Sequence, residues 1–229
     1  MIPWEFLDTV PIPGSRDKLS LFRRGTEFSI RVDKDELMNS RAHGSEEALA
    51  RLACCRIATR RRPHVLVGGL GMGYTLSAVL RELESDADVL LVELSPAVVA
   101  WNRGPLADLA GRPLDDGRVH VLEGDVAESL RAGRACYDSI LLDVDNGPEA
   151  FTRGGNDWLY GKSGLAAAFG ALRPGGIFAV WSSTPDRRFT ARLRWAGFKV
   201  DDFRVPARGD RGGPNHTIWI AETPGSRQS

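Results

Sequence analysis

The chain has little of what marks several protein classes. It contains three cysteines, Cys54, Cys55 and Cys136, and four histidines in 229 residues. Adjacent cysteines rarely bridge each other and three cannot close a paired set, so no disulfide framework is expected. No His or Cys spacing matches a metal-ligand pattern, so no metal is expected. An excess of either charge is also missing: Lys+Arg and Asp+Glu both total 30. A formal charge of zero gives no electrostatic reason to expect nucleic acid as a partner. No apolar run is long enough to cross a bilayer, which argues against a membrane partner. The opening Met1-Ile2-Pro3-Trp4-Glu5 is acidic and broken by proline, unlike a signal peptide, so the cytoplasm is the expected compartment. Internal repeats and low-complexity segments are absent as well.

What is present is a core-forming composition, 42% hydrophobic, in a length that suits one α/β unit with a small appendage. Leu19–Phe22 and Thr26–Val32 alternate apolar and polar residues around Arg24-Gly25, the pattern of a β-hairpin. A two-stranded piece is too small to stand alone and should pack on the rest. The reading therefore divides the chain into a short N-terminal hairpin region, 1–43, a catalytic domain, 44–224, and a tail, 225–229. Ser45–Thr59 has helical spacing of apolar residues, with Ser45 as a candidate N-cap. Then comes a regular alternation. Strands are expected at His64–Gly68, Val89–Glu93, Val119–Leu122, Ser139–Asp143, Ile177–Trp181, Phe198–Val205 and Thr217–Ile220. Helices fall between the first six of them, among them Tyr74–Leu83 and one opening at Ser95-Pro96. Continuous apolar strands alternating with helices predict a parallel sheet covered on both faces. The last two strands have no helix between them and should pair antiparallel. The fold class is thus α/β: a Rossmann-like, seven-stranded, mostly parallel sheet of the adenosylmethionine-dependent methyltransferase type, with a small N-terminal hairpin.

Open sheets of this kind bind ligands at the carboxyl ends of their strands. The first strand is followed by Gly68-Gly69-Leu70-Gly71-Met72-Gly73, where glycines permit a sharp turn and close approach of a ligand. Gly69, Gly71 and Gly73 are the candidate cofactor-binding positions. Glu93 stands at the end of the second strand, about 20 residues on, where a carboxylate can accept both ribose hydroxyls. Asp125 follows the third strand and could accept from an adenine amino group while the backbone N–H of Val126 serves a ring nitrogen. Asp125 would serve equally as the N-cap of the next helix. Asp143 follows the fourth strand. Three acids at three strand ends beside a glycine turn point to an adenosyl cofactor. The spacing G-x-G-x-G departs from the G-x-G-x-x-G of dinucleotide binders.

These stretches resemble the spermidine synthase (polyamine aminopropyltransferase) family. HVLVGGLGMG is similar to its glycine motif, LLVELSP to its ribose-holding segment, LEGDV to its adenine-contacting segment and YDSILLDVDNGP to its fourth strand and catalytic loop. The resemblance implies a transferase that uses an adenosylmethionine-type sulfonium donor to aminopropylate a small amine. It places Asp143 as the carboxylate facing the attacking amine, with Asp145 second. Gly71 stands where that family carries an acid that holds the donor's amine, and Gly68 where methyltransferases carry an acid opening the glycine motif. The donor is therefore S-adenosylmethionine or its decarboxylated form. A small-molecule methyltransferase is the alternative, and a non-catalytic adenosyl-nucleotide-binding protein the third. Trp158 and Tyr160 follow the Asp143 loop and could cap it, Trp158 toward substrate and Tyr160 in catalysis. His43 and Glu46 precede the first long helix, where the resemblance implies substrate-facing polar groups, and Glu46 is the candidate substrate ligand. His120, inside an apolar strand, reads as a core histidine, and His216 as structural. Arg60-Arg61-Arg62 reads as cations offsetting a helix dipole. A hairpin edge could pair two copies into a homodimer.

Overall fold

The computed structural model describes residues 2–13, 15–144 and 157–225. Two sheets carry the architecture. The N-terminal hairpin expected from the alternating pattern is the centre of a four-stranded antiparallel sheet. Strands β2 (Lys18–Arg24) and β3 (Glu27–Val32) pair across the Gly25 turn, and β1 (Glu5–Pro11) and β4 (Asp35–Asn39) flank them. The flanking strands escaped the sequence reading for a physical reason. Both are edges, β1 has no buried residue and a register shift interrupts its pairing, so neither shows a clean apolar alternation.

The second sheet has the order β10-β11-β9-β8-β5-β6-β7. Its parallel part is β5 (His64–Gly68), β6 (Asp88–Glu93), β7 (Val119–Glu123), β8 (Tyr137–Leu142) and β9 (Leu172–Ser182). β10 (Lys199–Pro206) and β11 (Asn215–Glu222) close it as the expected antiparallel pair. The chain moves from β5 outward through β6 to β7, then returns to β8 on the other side of β5. The order therefore reverses between β5 and β8, and ligands of open sheets sit beyond the carboxyl ends at such a reversal.

Helices α1 (Gly44–Cys54), α2 (Tyr74–Glu82) and α3 (Pro96–Arg103) join the N-terminal sheet in one core around Leu21, Ile30, Leu49 and Val67. Helices α4 (Val126–Ala132), α5 (Asp157–Tyr160), α6 (Lys162–Ala171) and α7 (Arg187–Trp195) cover the other face around Ile140, Phe178, Phe189 and Trp219. The small sheet is fastened to the larger unit by polar bonds as well. Trp101 Nε1 of α3 donates to Asp8 Oδ2 of β1 at 2.8 Å, and Tyr74 Oη donates to the Ser40 carbonyl at 3.1 Å.

Three sequence expectations change. Helix α1 ends at Cys54, before the predicted Thr59, and its N-cap residue is His43, not Ser45. His120 is exposed rather than in the core, because β7 is an edge strand, and its ring lies 3.4 Å from Asp88. Arg60 does not sit at a helix end. It reaches Asp138, which is almost fully buried, at 2.6 Å, and also donates to the Pro174 and Gly175 carbonyls. Asp138 takes Arg173 at 2.5 Å on its other oxygen, and that oxygen also accepts the His64 N–H at 2.8 Å. This carboxylate ties the starts of β5 and β9 to the start of β8. Replacing it removes the shared anionic partner of two guanidinium groups and leaves the part-buried His64 N–H unpaired. Asp138→Ala should therefore cost about 3 kcal/mol, roughly 10 °C in Tm, measured by thermal denaturation.

Candidate active site

The glycine turn after β5 is pinned by the strands on both sides. Gly69 N donates to the Val92 carbonyl and Asp143 N donates to the Gly68 carbonyl, each at 2.9 Å. Gly69 adopts φ +91°, and a Cβ there would stand 2.3 Å from the Asp143 carbonyl oxygen. The turn and the end of β8 thus fit together only with glycine at this position. Glu93, buried at the end of β6, accepts the Leu70 N–H on one oxygen and the Ser95 N–H on the other, each at 2.8 Å. Asn102 Nδ2 donates to the Gly71 carbonyl at 2.9 Å and steadies the far side of the turn. Gly73 is the N-cap of α2, so the turn's third glycine starts that helix.

Two cavities open at this point. The first is lined by Gly69, Gly71, Glu93, Asp125, Val126 and Asp143, with an apolar wall from the small sheet that includes Leu19, Ile30 and Met38. Asp125 is the N-cap of its helix and also lines the first cavity. Its Oδ1 caps α4 by accepting the Ala127 N–H at 2.8 Å, and the exposed carboxylate stands at the cavity wall. Each acid expected at a strand end therefore faces one chamber. The second cavity is lined by Glu46, Thr75, Tyr74, Trp181, His216 and Asp143. Leu37, Met38, Gly71 and Asp143 border both, so the chambers meet beside Asp143.

Asp143 is half-buried at this junction. Its Oδ2 accepts the Thr75 hydroxyl at 2.5 Å. Burial pushes its carboxyl above the usual range, and the Thr75 bond opposes this only in part. Glu46, in the first turn of α1, accepts the Ser45 hydroxyl at 2.6 Å. Burial raises its carboxyl strongly, and the negative charge of Asp143 raises it further. Among the described residues neither carboxylate enters an ion pair. Tyr74, which contributes to the same wall, is pushed up to about 12 by burial and by Glu46 and Glu47. Its ring stacks on His43 with centroids 4.3 Å apart.

The structure brings Gly69, Gly71, Glu93, Asp125, Val126, Asp143 and Glu46 to these two chambers. Two expected residues stand apart. Trp158 lines neither cavity and carries Arg131 of α4 over its ring at 3.9 Å, so it anchors α5 rather than capping the site. Tyr160 is buried, packs edge-on against Phe189 and reaches the Val144 carbonyl at 3.4 Å. Asp145 lies outside the described residues. The sequence reading missed Thr75, Ser45 as a buried hydroxyl, Trp181 and Met38, and it dismissed His216. Only Thr75 had a sequence signal, two residues past the last glycine of the turn. The structure also explains both glycines where an acid was expected. A Cβ at Gly71 would stand 3.1 Å from Met38 Sδ, and one at Gly68 would stand 2.9 Å from the side chains of Leu142 and Val126. Apolar groups already fill both spaces. No cluster of metal-binding residues occurs among the described residues.

The comparisons with known proteins bear out the resemblance read from the motifs. No family model matches the chain. It is 33% identical over 159 residues to the polyamine aminopropyltransferase of Mycobacterium tuberculosis, a match covering 65% of this chain and 29% of that protein. The chain thus spans less than a third of the length of that curated relative. Among solved structures, spermidine synthase from Thermotoga maritima superposes with a TM-score of 0.74 at 17% identity, over 95% of this chain and 72% of that one. A spermidine synthase in complex with the transition-state analogue AdoDATO gives 0.70 at 17% identity, with the same coverage. The O-methyltransferase TomG from Streptomyces achromogenes in complex with SAM gives 0.55 at 21%, over 79% of this chain and 80% of that one. The chain therefore shares the fold of these proteins.

The two raised carboxyls set a pH dependence of stability. Unfolded, both ionise in the ordinary carboxylate range; folded, they hold their protons to higher pH. The folded state then binds more protons than the unfolded one across that window, so stability falls as pH rises through it. Thermal melts from pH 5 to 8 should show this decline in Tm. Glu46→Gln should flatten it and raise Tm at the alkaline end.

Proposed function

We propose that the chain is a transferase that moves an alkyl group from an adenosyl sulfonium donor to a small amine, with aminopropyl as the group transferred. One observation carries the reading: two half-buried carboxylates with no ion-pair partner among the described residues, Glu46 and Asp143, face one cavity at its junction with the chamber of Glu93 and Asp125. A cavity with that character complements a cation. An ammonium group entering it supplies the missing positive charge and returns both carboxyls toward ionisation. The first chamber offers the donor a glycine turn, a ribose-facing carboxylate and, at Asp125 and Val126, groups suited to an adenine edge. A relative named polyamine aminopropyltransferase and a neighbour in complex with AdoDATO support the aminopropyl group and a decarboxylated donor.

The chemistry follows from the junction. Displacement at a carbon bound to sulfonium needs a neutral amine held in line with the breaking C–S bond. Asp143 orients the ammonium form and accepts its proton, and Thr75 fixes the carboxylate that does so. The cavity walls hold donor and acceptor in register, which contributes the proximity part of the rate. Asp145 remains a second candidate for the same role. Methyl transfer from S-adenosylmethionine is the second reading. Met38 over Gly71 favours it, because the described part of the glycine turn carries no acid to hold an aminopropyl amine. Two copies could pair through the β1 edge, where Phe6 is exposed.

Product analysis separates these readings. Methylthioadenosine should accumulate with decarboxylated donor and a diamine, whereas adenosylhomocysteine as the only product would overturn aminopropyl transfer. Calorimetry should show binding of at least one of the two donors; binding of neither would leave a non-catalytic role. Asp143→Asn should lower kcat at least about a hundredfold with little change in donor affinity. Amine binding near neutral pH should release protons, read as a dependence of the binding heat on buffer ionisation enthalpy, and affinity should weaken as pH falls.

A further inference from the structure

The amine cavity has a second polar feature behind Glu46. Ser45 is fully buried, and its hydroxyl meets three side chains from three elements. It lies 2.6 Å from Glu46 Oε2, 2.9 Å from His216 Nδ1 and 3.0 Å from Trp181 Nε1. Helix α1 is held against this wall by the Gly44 N–H, which donates to the Ala207 carbonyl at 2.8 Å. His216 is half-buried, borders the cavity, and has its ring edge-on to Trp181 with centroids 4.7 Å apart.

Counting hydrogens gives the consequence. A serine hydroxyl donates one hydrogen bond and accepts two. The Trp181 N–H can only donate, so it takes one acceptor position in every state. The remaining two contacts must be one donated and one accepted. When Glu46 is ionised, Ser45 donates to it, and His216 Nδ1 must carry a hydrogen. When Glu46 is protonated, its O–H can donate to Ser45, and Ser45 then donates to an unprotonated Nδ1. One hydrogen thus links the state of Glu46 to the tautomer of His216.

We infer that Glu46, Ser45 and His216 form a proton relay that carries the amine's proton from the transfer site to the open side of the cavity. The inference rests on the amine reading of that cavity. In the transfer, the amine lone pair forms the new N–C bond and the C–S pair stays on sulfur. The acceptor enters as an ammonium and the product leaves as one, so one proton is released per turnover. Asp143 takes it from the amine and hands it across their shared cavity to Glu46, which passes a proton from Oε2 to Ser45 while the hydrogen of Ser45 moves to His216 Nδ1. The imidazolium then releases the hydrogen on Nε2 to water in the cavity, leaving Glu46 ionised and His216 in the Nδ1–H form, and exchange of that hydrogen through cavity water to Nε2 frees Nδ1 before the next turnover. Burial lowers the basicity of His216, so it gives its proton up readily near neutral pH. Asp143, Glu47 and Tyr74 face Glu46 electrostatically, and Arg208 and Glu36 border the same cavity as His216. Ser45 and His216 are positioning and relay residues and need not touch the reacting atoms.

Two experiments test this, one without activity. Histidine ¹⁵N spectra of the free protein should show His216 passing from the Nε2–H to the Nδ1–H tautomer as pH rises through the ionisation of Glu46. In Glu46→Gln the amide can donate to Ser45 at every pH, so His216 should stay in the Nε2–H form. A tautomer that ignores both pH and Glu46→Gln overturns the relay, whatever the reaction is. In turnover, folded His216→Ala should lose about tenfold or more in kcat with KM for the amine nearly unchanged. Added imidazole should restore the rate in a concentration-dependent way. Normal kcat in His216→Ala, or loss that imidazole does not restore, overturns the relay while leaving the transfer reading intact. Absence of any transfer by the wild-type chain overturns the transfer reading, and the tautomer measurement still decides the coupling.

Discussion

Asp143 stands where three constraints meet. Its backbone closes the glycine turn through Gly68, its carbonyl excludes a side chain at Gly69, and its carboxylate is held by Thr75 from the first turn of α2. Moving any of these moves the others. The residue is also half-buried, and its charge acts directly on Glu46 across the cavity. A carboxylate placed this way is costly to keep ionised without a counter-charge, because desolvation disfavours the charged form and the Thr75 hydrogen bond opposes this only in part. The fold accepts that cost at the junction of two chambers.

The surrounding structure divides the work between rigid and adaptable parts. The carboxyl ends of β5, β6 and β8 are cross-linked by backbone bonds, and Glu93 spends its carboxylate on two further N–H groups. That side of the site is set by the sheet. The opposite wall comes from the four-stranded sheet and is largely apolar: Leu19, Ile30, Leu37 and Met38. It is fastened by a few side-chain bonds, such as Trp101 to Asp8 and Tyr74 to Ser40, rather than by strand pairing with the main sheet. Met38 stands at the boundary of both chambers, so this wall shapes the opening between them.

Much of the first chamber was legible in order of sequence. Parallel strands of this fold are buried on both faces and read as apolar runs, so their ends, and the Gly, Glu, Gly-Asp and Asp found there, were visible without coordinates. The second chamber was not. Its wall joins Ser45 and Glu46 on α1 to Trp181 on β9 and His216 on β11, and Ser45 and His216 are 171 residues apart. No local pattern encodes such a meeting. Trp158 and Tyr160 line neither chamber for the same reason: proximity in sequence to Asp143 carried no information about which side chains of α5 would face the site.

The sequence by itself determined the strand–helix alternation, the antiparallel closing pair, the glycine turn and the three acids at strand ends. Each of these follows from periodicity and from the steric freedom of glycine, which are properties of short segments. The tertiary structure alone decided that Asp143 and Glu46 share a cavity, that Met38 fills the space over Gly71, and that one buried hydroxyl links Glu46 to His216. Burial, charge proximity and hydrogen-bond partners depend on which elements pack together, and that is set by the whole chain rather than by any stretch of it.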